Sequence, residues 1–218
     1  MVVVDLDVVT TPTASEPHAP TGALSRTHTE RWANRETSPH LDDNQAAVEE
    51  LLAAAYASAR SKKEATEALY GPATRQTPPA MVFTDGSCLR GRTVDAAAGA
   101  GVHWGPGAAN NRSLRVPGRQ TNNRGELYAI LVALSLADHR RSLTIYSDSQ
   151  YAIRCICYWA GHLAERGWTC PNGDILQAIV TILQQFEATV VFRWIRGHTG
   201  DTHHDAADAS AKQGAEKA

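Results

Sequence analysis

Met81-Val82-Phe83-Thr84-Asp85-Gly86-Ser87-Cys88 is the stretch on which the fold turns. Bulky apolar and β-branched residues run into Asp-Gly-Ser, the pattern of a short strand meeting a turn. Downstream, Ala97 to Trp104 reads as a strand of small residues and Arg112 to Val116 as a third, with turns at Gly105-Pro106-Gly107 and Pro117-Gly118. From Asn123 to Leu136, the spacing of Leu127, Ile130, Leu131 and Leu134 predicts an amphipathic helix. Leu143 to Tyr146 is a strand that breaks at Ser147-Asp148-Ser149, where another helix begins. Helical spacing resumes from Asp174 to Phe186, Thr189 to Trp194 reads as a strand, and Ala206 to Gly214 as a closing helix. The order β-β-β-α-β-α-α-β-α predicts an α/β fold: a five-stranded mixed sheet, an antiparallel meander plus parallel strands, flanked by helices.

Upstream the texture differs. Residues 1–40 are rich in Thr, Pro, Ser, His and Ala without a sustained apolar period, and read as a disordered leader. Residues 41–79 read as a helical segment and linker. Val48, Leu51, Leu52, Ala55, Tyr56 and Ala59 recur at helical spacing within a helix from Asn44 to Leu69 that Asp42 or Asp43 can cap, and Gly71-Pro72 stops it. The remaining 80–218 form the main domain. Residues 1–80 carry 7 basic and 11 acidic groups, and residues 81–218 carry 14 basic and 12 acidic, a net charge of +2 that suits a polyanionic partner.

Several classes fall away. No apolar run approaches the ~18 residues of a membrane span. The start, with Asp5 and Asp7 and no basic leader, is a poor secretory signal, so an intracellular protein of cytoplasm or nucleus is expected. Cys88, Cys155, Cys157 and Cys170 give neither a disulfide framework nor zinc-ligand spacing, and read as reduced thiols.

The chemistry lies in where acids fall. Asp85 ends the first strand of the domain and Asp148 the fourth; strands joined through a helix tend to lie parallel, so both ends open onto one edge of the sheet. Glu126 and Asp208 lie in the first turns of helices. Each alone reads as a cap or a solvated charge. Four converging would repel unless hard, oxygen-seeking cations sat between them. A pair of such ions serves phosphodiester hydrolysis.

Phe83-Thr84-Asp85-Gly86-Ser87-Cys88, Thr121-Asn122-Asn123-Arg124-Gly125-Glu126-Leu127, Tyr146-Ser147-Asp148-Ser149-Gln150-Tyr151 and Trp194-Ile195-Arg196-Gly197-His198-Thr199-Gly200, with Asp208 following, resemble the motif set of type 1 ribonuclease H, in that family's order. The resemblance covers roughly Met81 to Gly214. It implies a ribonuclease H-like fold and an endonuclease that cuts the RNA strand of RNA–DNA hybrids with two Mg²⁺ ions, Mn²⁺ being a possible substitute, leaving 3′-hydroxyl and 5′-phosphate ends. Asp85, Glu126, Asp148 and Asp208 match the metal-holding acids, and His198 the mobile-loop histidine that shuttles a proton or helps product leave. Asn122, Asn123 and Gln150 match residues that reach sugar and base edges in the minor groove, where 2′-hydroxyls identify RNA; Cys88 and Trp159 complete the expected substrate contacts.

The chain also departs from the pattern. Leu89-Arg90-Gly91-Arg92-Thr93-Val94 replaces a Gly/Pro-rich loop, and Arg90 or Arg92 could meet phosphate. The handle from Trp159 to Asp174, with Trp168, is short and carries no lysine, which implies weaker, more salt-sensitive binding. His204 stands where the family often has an asparagine, and it reads with His203 as a solvated histidine. The rival to an enzyme is a non-catalytic module of the same fold that binds hybrid or a protein partner; a related nuclease or integrase is disfavoured by the NNRGEL and GHTG stretches. No hybrid-binding module is recognisable in residues 1–80, and a protein partner bound through them is an open alternative.

Overall fold

Runs of β-branched and aromatic residues supply the strands, and the sheet they build sets the positions of the acids. The structure, a computed structural model, describes residues 2–5 and 62–217. Its sheet has the order β1-β6-β5-β2-β3-β4, formed by β1 (Val2–Asp5), β2 (Ala80–Leu89), β3 (Ala97–His103), β4 (Arg112–Arg115), β5 (Leu143–Ser147) and β6 (Val190–Trp194). The meander β2-β3-β4 is antiparallel, while β2, β5 and β6 run parallel. These are the five expected strands. A sixth comes from within the stretch read as a leader: Val2–Asp5 lies parallel to β6, pairing Val2 with Val190. Three consecutive valines have the β propensity for this, but they lack flanking pattern to announce it. Residues 6–61, which include most of the expected leader and the Asn44 end of the expected helix, lie outside the described residues.

The part of that helix within the described residues, α1 (Lys62–Tyr70), packs on the domain. Tyr70 is buried and its hydroxyl donates to the Ile156 carbonyl at 2.7 Å. Gly71, at φ 77, ends the helix with its N–H on Glu67 O, a left-handed cap that glycine adopts without Cβ strain. The segment read as a linker is also tied down: the N–H groups of Thr74 and Arg75 donate to Glu187 O, and Arg75 pairs with the Glu187 carboxylate at 2.5 Å.

α2 (Asn122–Leu136) starts one residue earlier than its apolar period indicated, because Thr121 is its cap and accepts from the Arg124 N–H. Its buried face includes Leu127, Ile130 and Leu134, each worth ~1.5–3 kcal/mol when removed from water. Arg124, itself buried, makes a bidentate pair with Asp174 at 2.9 and 2.6 Å, joining the start of α2 to that of α5 (Gly173–Leu183). After β5 the chain runs through α3 (Gln150–Arg154), a π-helical turn (Cys155–Trp159) and α4 (Ala160–Glu165). The Tyr70 hydroxyl sits on a carbonyl of that wider turn, the kind of insertion that accompanies a local break in the α ladder. In the handle, Trp168 packs against the core at φ 60, whereas Trp159 is exposed.

α6 (Thr202–Glu216) begins four residues before Ala206, since the Asp201 carboxylate accepts from the N–H groups of His203 and His204 at 2.9 and 3.0 Å. It lies directly on β3. A Cβ at Gly99 would stand 2.0 Å from Ala211 O, and one at Gly101 2.0 Å from Ala207 O. Glycines in β3 are what let the helix backbone come so near.

Candidate active site

Asp85 does not end its strand. β2 continues to Leu89 as one arm of the hairpin with β3, but its parallel pairing with β5 stops at Phe83↔Tyr146. Carrying that register two residues further sets Asp85 opposite Asp148, just beyond the end of β5 at Ser147. The shared edge expected from the sequence therefore exists, made by the point where two strands separate.

Each acid is held by its own local device. The indole N–H of Trp194, at the end of β6, donates to the Asp148 carbonyl at 2.9 Å. Gly197 lies so close over the Asp148 carboxylate that a Cβ there would be 2.2 Å from Oδ2. Glu126 is brought in by the contact of β2 with the start of α2, where a Cβ on Gly86 would stand 2.2 Å from the Glu126 nitrogen. Its carboxylate accepts from the Gly86 N–H and from the Asn122 amide at 3.3 Å. Asp208, on α6, lies within hydrogen-bonding reach of Asp85 and holds Lys212 at 2.6 Å.

The resulting pocket is electrostatically costly as it stands. Burial, then repulsion from Asp148 and Asp208, pushes the Asp85 carboxyl up to about 7, against a smaller lowering by His204. Burial, then Asp85 and Asp148, also raises Glu126, whose buried Oε2 has no hydrogen-bond partner among the described residues. Mutual repulsion and an orphaned carboxylate oxygen fit a missing positive charge, and oxygen donors fit a hard divalent cation.

His204 is the residue that sequence reasoning misplaced. It is 3% exposed rather than solvated, and its Nε2 is 3.4 Å from Asp148 Oδ2. Donor atoms of Asp85, Asp148 and His204 all lie within 4.8 Å of one another. Burial opposes charge on its imidazole, but the hydrogen bond and field of Asp148, with Asp85 and Asp201, outweigh that and raise its pKa. The signal that could have found it was its place four residues before Asp208, which puts both on one helix face. His203 is exposed and departs less from expectation, yet it stacks on Phe83 at 5.2 Å and meets His103 at 3.3 Å.

Of the other expected residues, only Asn122 touches this cluster, through its hydrogen bond to Glu126. His198 is exposed on the loop between β6 and α6, at φ 57, with no hydrogen bond or ion pair among the described residues. Asn122 and Asn123 are exposed at the start of α2, and Gln150 at the start of α3. Cys88 is half-buried near the end of β2, its thiol donating to Gln120 O at 3.5 Å. Arg90 and Arg92 are exposed at the β2–β3 turn.

These shifts predict how the metal-free protein responds to pH. Asp85 binds its proton more tightly folded than unfolded, and so does His204, so the folded state holds more protons and stability falls as pH rises. The melting temperature in EDTA should drop between pH 5 and pH 8. Added Mn²⁺ should restore it more at pH 8 than at pH 5, because cation and proton compete for the same carboxylates. A flat or rising profile in EDTA would contradict the electrostatics described.

Comparison with known proteins places this arrangement. The sequence model of the RNase H family matches residues 77–216. Ribonuclease H1 of Rattus norvegicus is 34% identical over 143 residues, covering 63% of this chain and 50% of that protein. Ribonuclease H of Polaromonas naphthalenivorans is 30% identical over 159 residues, 70% of this chain and 97% of the bacterial protein. The chain thus spans about half the length of the mammalian relatives it matches. Among solved structures, LC9-RNase H1, described as a type 1 RNase H with the type 2 active-site motif, superimposes with TM-score 0.51 at 28% identity, over 65% of this chain and 74% of that one. The prototype foamy virus protease–reverse transcriptase shares the fold at TM-score 0.53 and 18% identity, over 67% of this chain and 22% of the viral one. With the family model spanning most of the chain and the fold shared with solved relatives, this protein belongs to the RNase H family and carries a type 1 ribonuclease H domain.

Proposed function

We infer that the chain is an endoribonuclease that hydrolyses the RNA strand of RNA–DNA hybrids. The observation that carries this reading is the approach of four carboxylates from β2, α2, the end of β5 and α6, in a domain of this family. Asp85, Glu126, Asp148 and Asp208 would hold Mg²⁺, in a pair as in the reading from sequence, or Mn²⁺ in its place. Bound there, divalent cations supply positive charge for the scissile phosphate and make a water nucleophile available near neutral pH.

The protein's own groups do the rest. Asn122, Asn123 and Gln150 offer exposed amides at two helix starts, suited to meeting 2′-hydroxyls and base edges as donor or acceptor. Trp159 presents an exposed indole face on the handle, and Cys88, half-buried near the end of β2, is the remaining expected contact. His198, unpaired on its loop, is free to carry a proton to or from the cleaved ends. Attack by water at phosphorus breaks the bond to the 3′ oxygen, which leaves with a proton, so the 2′-hydroxyl is read and not consumed.

The test is cleavage of labelled hybrid, RNA duplex, DNA duplex and single strands with Mg²⁺, Mn²⁺ or EDTA. Cutting is expected only in the RNA of the hybrid, without activity in EDTA, giving 3′-hydroxyl and 5′-phosphate ends. Terminal 2′,3′-cyclic phosphates would exclude this chemistry, and binding without cutting would favour a non-catalytic hybrid-binding module.

A further inference from the structure

The geometry points to His204 as a nitrogen ligand in the carboxylate site, giving this protein a site that discriminates for Mn²⁺ and other imidazole-binding divalent ions over Mg²⁺. This rests on the proposal that Asp85 and Asp148 hold a divalent cation, and it adds a residue whose position the family often fills with asparagine.

Three observations carry it. The first is placement: a ring nitrogen of His204 and one oxygen each of Asp85 and Asp148 lie within 4.8 Å of one another, and Nε2 is 3.4 Å from Asp148 Oδ2. An octahedral ion with bonds of about 2.1 Å spaces its donors about 3 Å apart when adjacent and about 4.2 Å when opposite, so the 3.4 Å pair is spaced as neighbouring donors are, and small side-chain shifts would bring all three onto one ion.

The second is what the ring lacks. A buried histidine kept for packing has its ring nitrogens satisfied. Here Nδ1 is buried without a partner, and the Nε2 contact is longer than the ~2.7–2.9 Å of a charge-assisted hydrogen bond. Glu126 Oε2, on the Asp85 and Asp148 side of the site, is orphaned as well. Glu126 thus brings an unfilled oxygen to the site, and the loose Nε2 contact leaves that nitrogen able to take a cation.

The third is the anchoring of the ring. His204 is fixed in the first turn of α6 by the Asp201 cap on its N–H and by the close seat of α6 on β3. It shares a helix face with Asp208, so ring and carboxylate are delivered together. Mg²⁺ prefers oxygen and keeps part of its water shell, whereas imidazole favours transition ions. Replacing an amide by imidazole at this point shifts the donor set in their direction.

The test uses the full chain without nucleic acid, so that nothing depends on turnover. Mn²⁺ is added to protein carrying ¹⁵N-histidine or natural-abundance histidine, and pulsed electron paramagnetic resonance reads nitrogen coupling to the bound ion. Wild type is expected to show an imidazole coupling that changes with the isotope. His204→Asn and His204→Gln should lose it. In both variants the Mg²⁺ concentration that displaces Mn²⁺ should fall by about tenfold, the lower end of what altering a ligand environment costs.

The exposed His103–His203 pair is the competing nitrogen source, so His203→Ala is the control and should leave the coupling intact. Mn²⁺ bound by wild type without nitrogen coupling overturns the assignment of His204 and leaves the carboxylate site standing. Coupling that survives in His204→Asn and disappears in His203→Ala overturns it too. If Mn²⁺ does not bind at millimolar concentration, or binds Asp85→Asn as tightly as wild type, the carboxylate site and the role of His204 fall together.

Discussion

Asp85→Asn is expected to abolish hydrolysis of the hybrid while making the metal-free protein more stable. The two effects share one cause. Asp85 is 6% exposed and sits among Asp148, Asp208 and Glu126, which leaves its charge poorly solvated and repelled. In the presence of cations that charge is useful, and its loss should lower kcat by about a thousandfold or more, equivalent to ~4 kcal/mol of transition-state stabilisation. In EDTA at pH 8 the charge is a burden, and the neutral amide should raise stability by ~1–3 kcal/mol, given a carboxyl pushed up to about 7. Hydrolysis rates in Mg²⁺ and urea unfolding in EDTA measure the two sides. An inactive variant that is also less stable without metal would mean that the charge is not the reason for the loss.

Gly101→Ala should be a severely damaging addition of a single methyl group. Its Cβ would meet Ala207 O at 2.0 Å and Ala211 N at 2.6 Å, both backbone atoms of α6, so no flexible side chain can yield. The helix must lift from β3, at a cost of about 3 kcal/mol or more, at or beyond the upper end for overpacking. Asp208 and His204 would be carried with it, and activity should fall with stability. Gly161→Ala, in α4 where nothing lies within 4 Å of the added atom, is the matched control and should be neutral or slightly stabilising. A Gly101→Ala protein with an unchanged guanidinium midpoint would mean that α6 is not seated as described.

How much of this could be read from the chain depended on whether a residue's neighbours in sequence were also its neighbours in space. Asp85, Glu126 and Asp148 each lie beside local patterns that name their element: a β-branched run, an apolar helical stripe, a strand broken by Ser-Asp-Ser. Strands β2 to β6 were legible for the same reason. β1 was not, because three valines acquire meaning only when the edge of β6 lies beside them. Nor was the π-helical turn, since Cys-Ile-Cys-Tyr-Trp suits an ordinary helix equally well and the difference involves the distant Tyr70 hydroxyl. His204 was misread through its company: a Gly, Asp and His-rich loop looks solvated until Asp201 is seen as the cap that starts the helix four residues early. With that start fixed, the i to i+4 relation to Asp208 follows.

The seating of α6 on glycines also sets an order of events during synthesis. Asp85, Glu126 and Asp148 emerge from the ribosome well before Asp208, which belongs to the last helix of the sheet-and-helix body. Until that helix finds its groove the three earlier acids have no fourth, and a partly made chain carries an unfinished centre. Completion of the proposed site is thereby tied to the docking of one late-made helix, a dependence written into the connectivity.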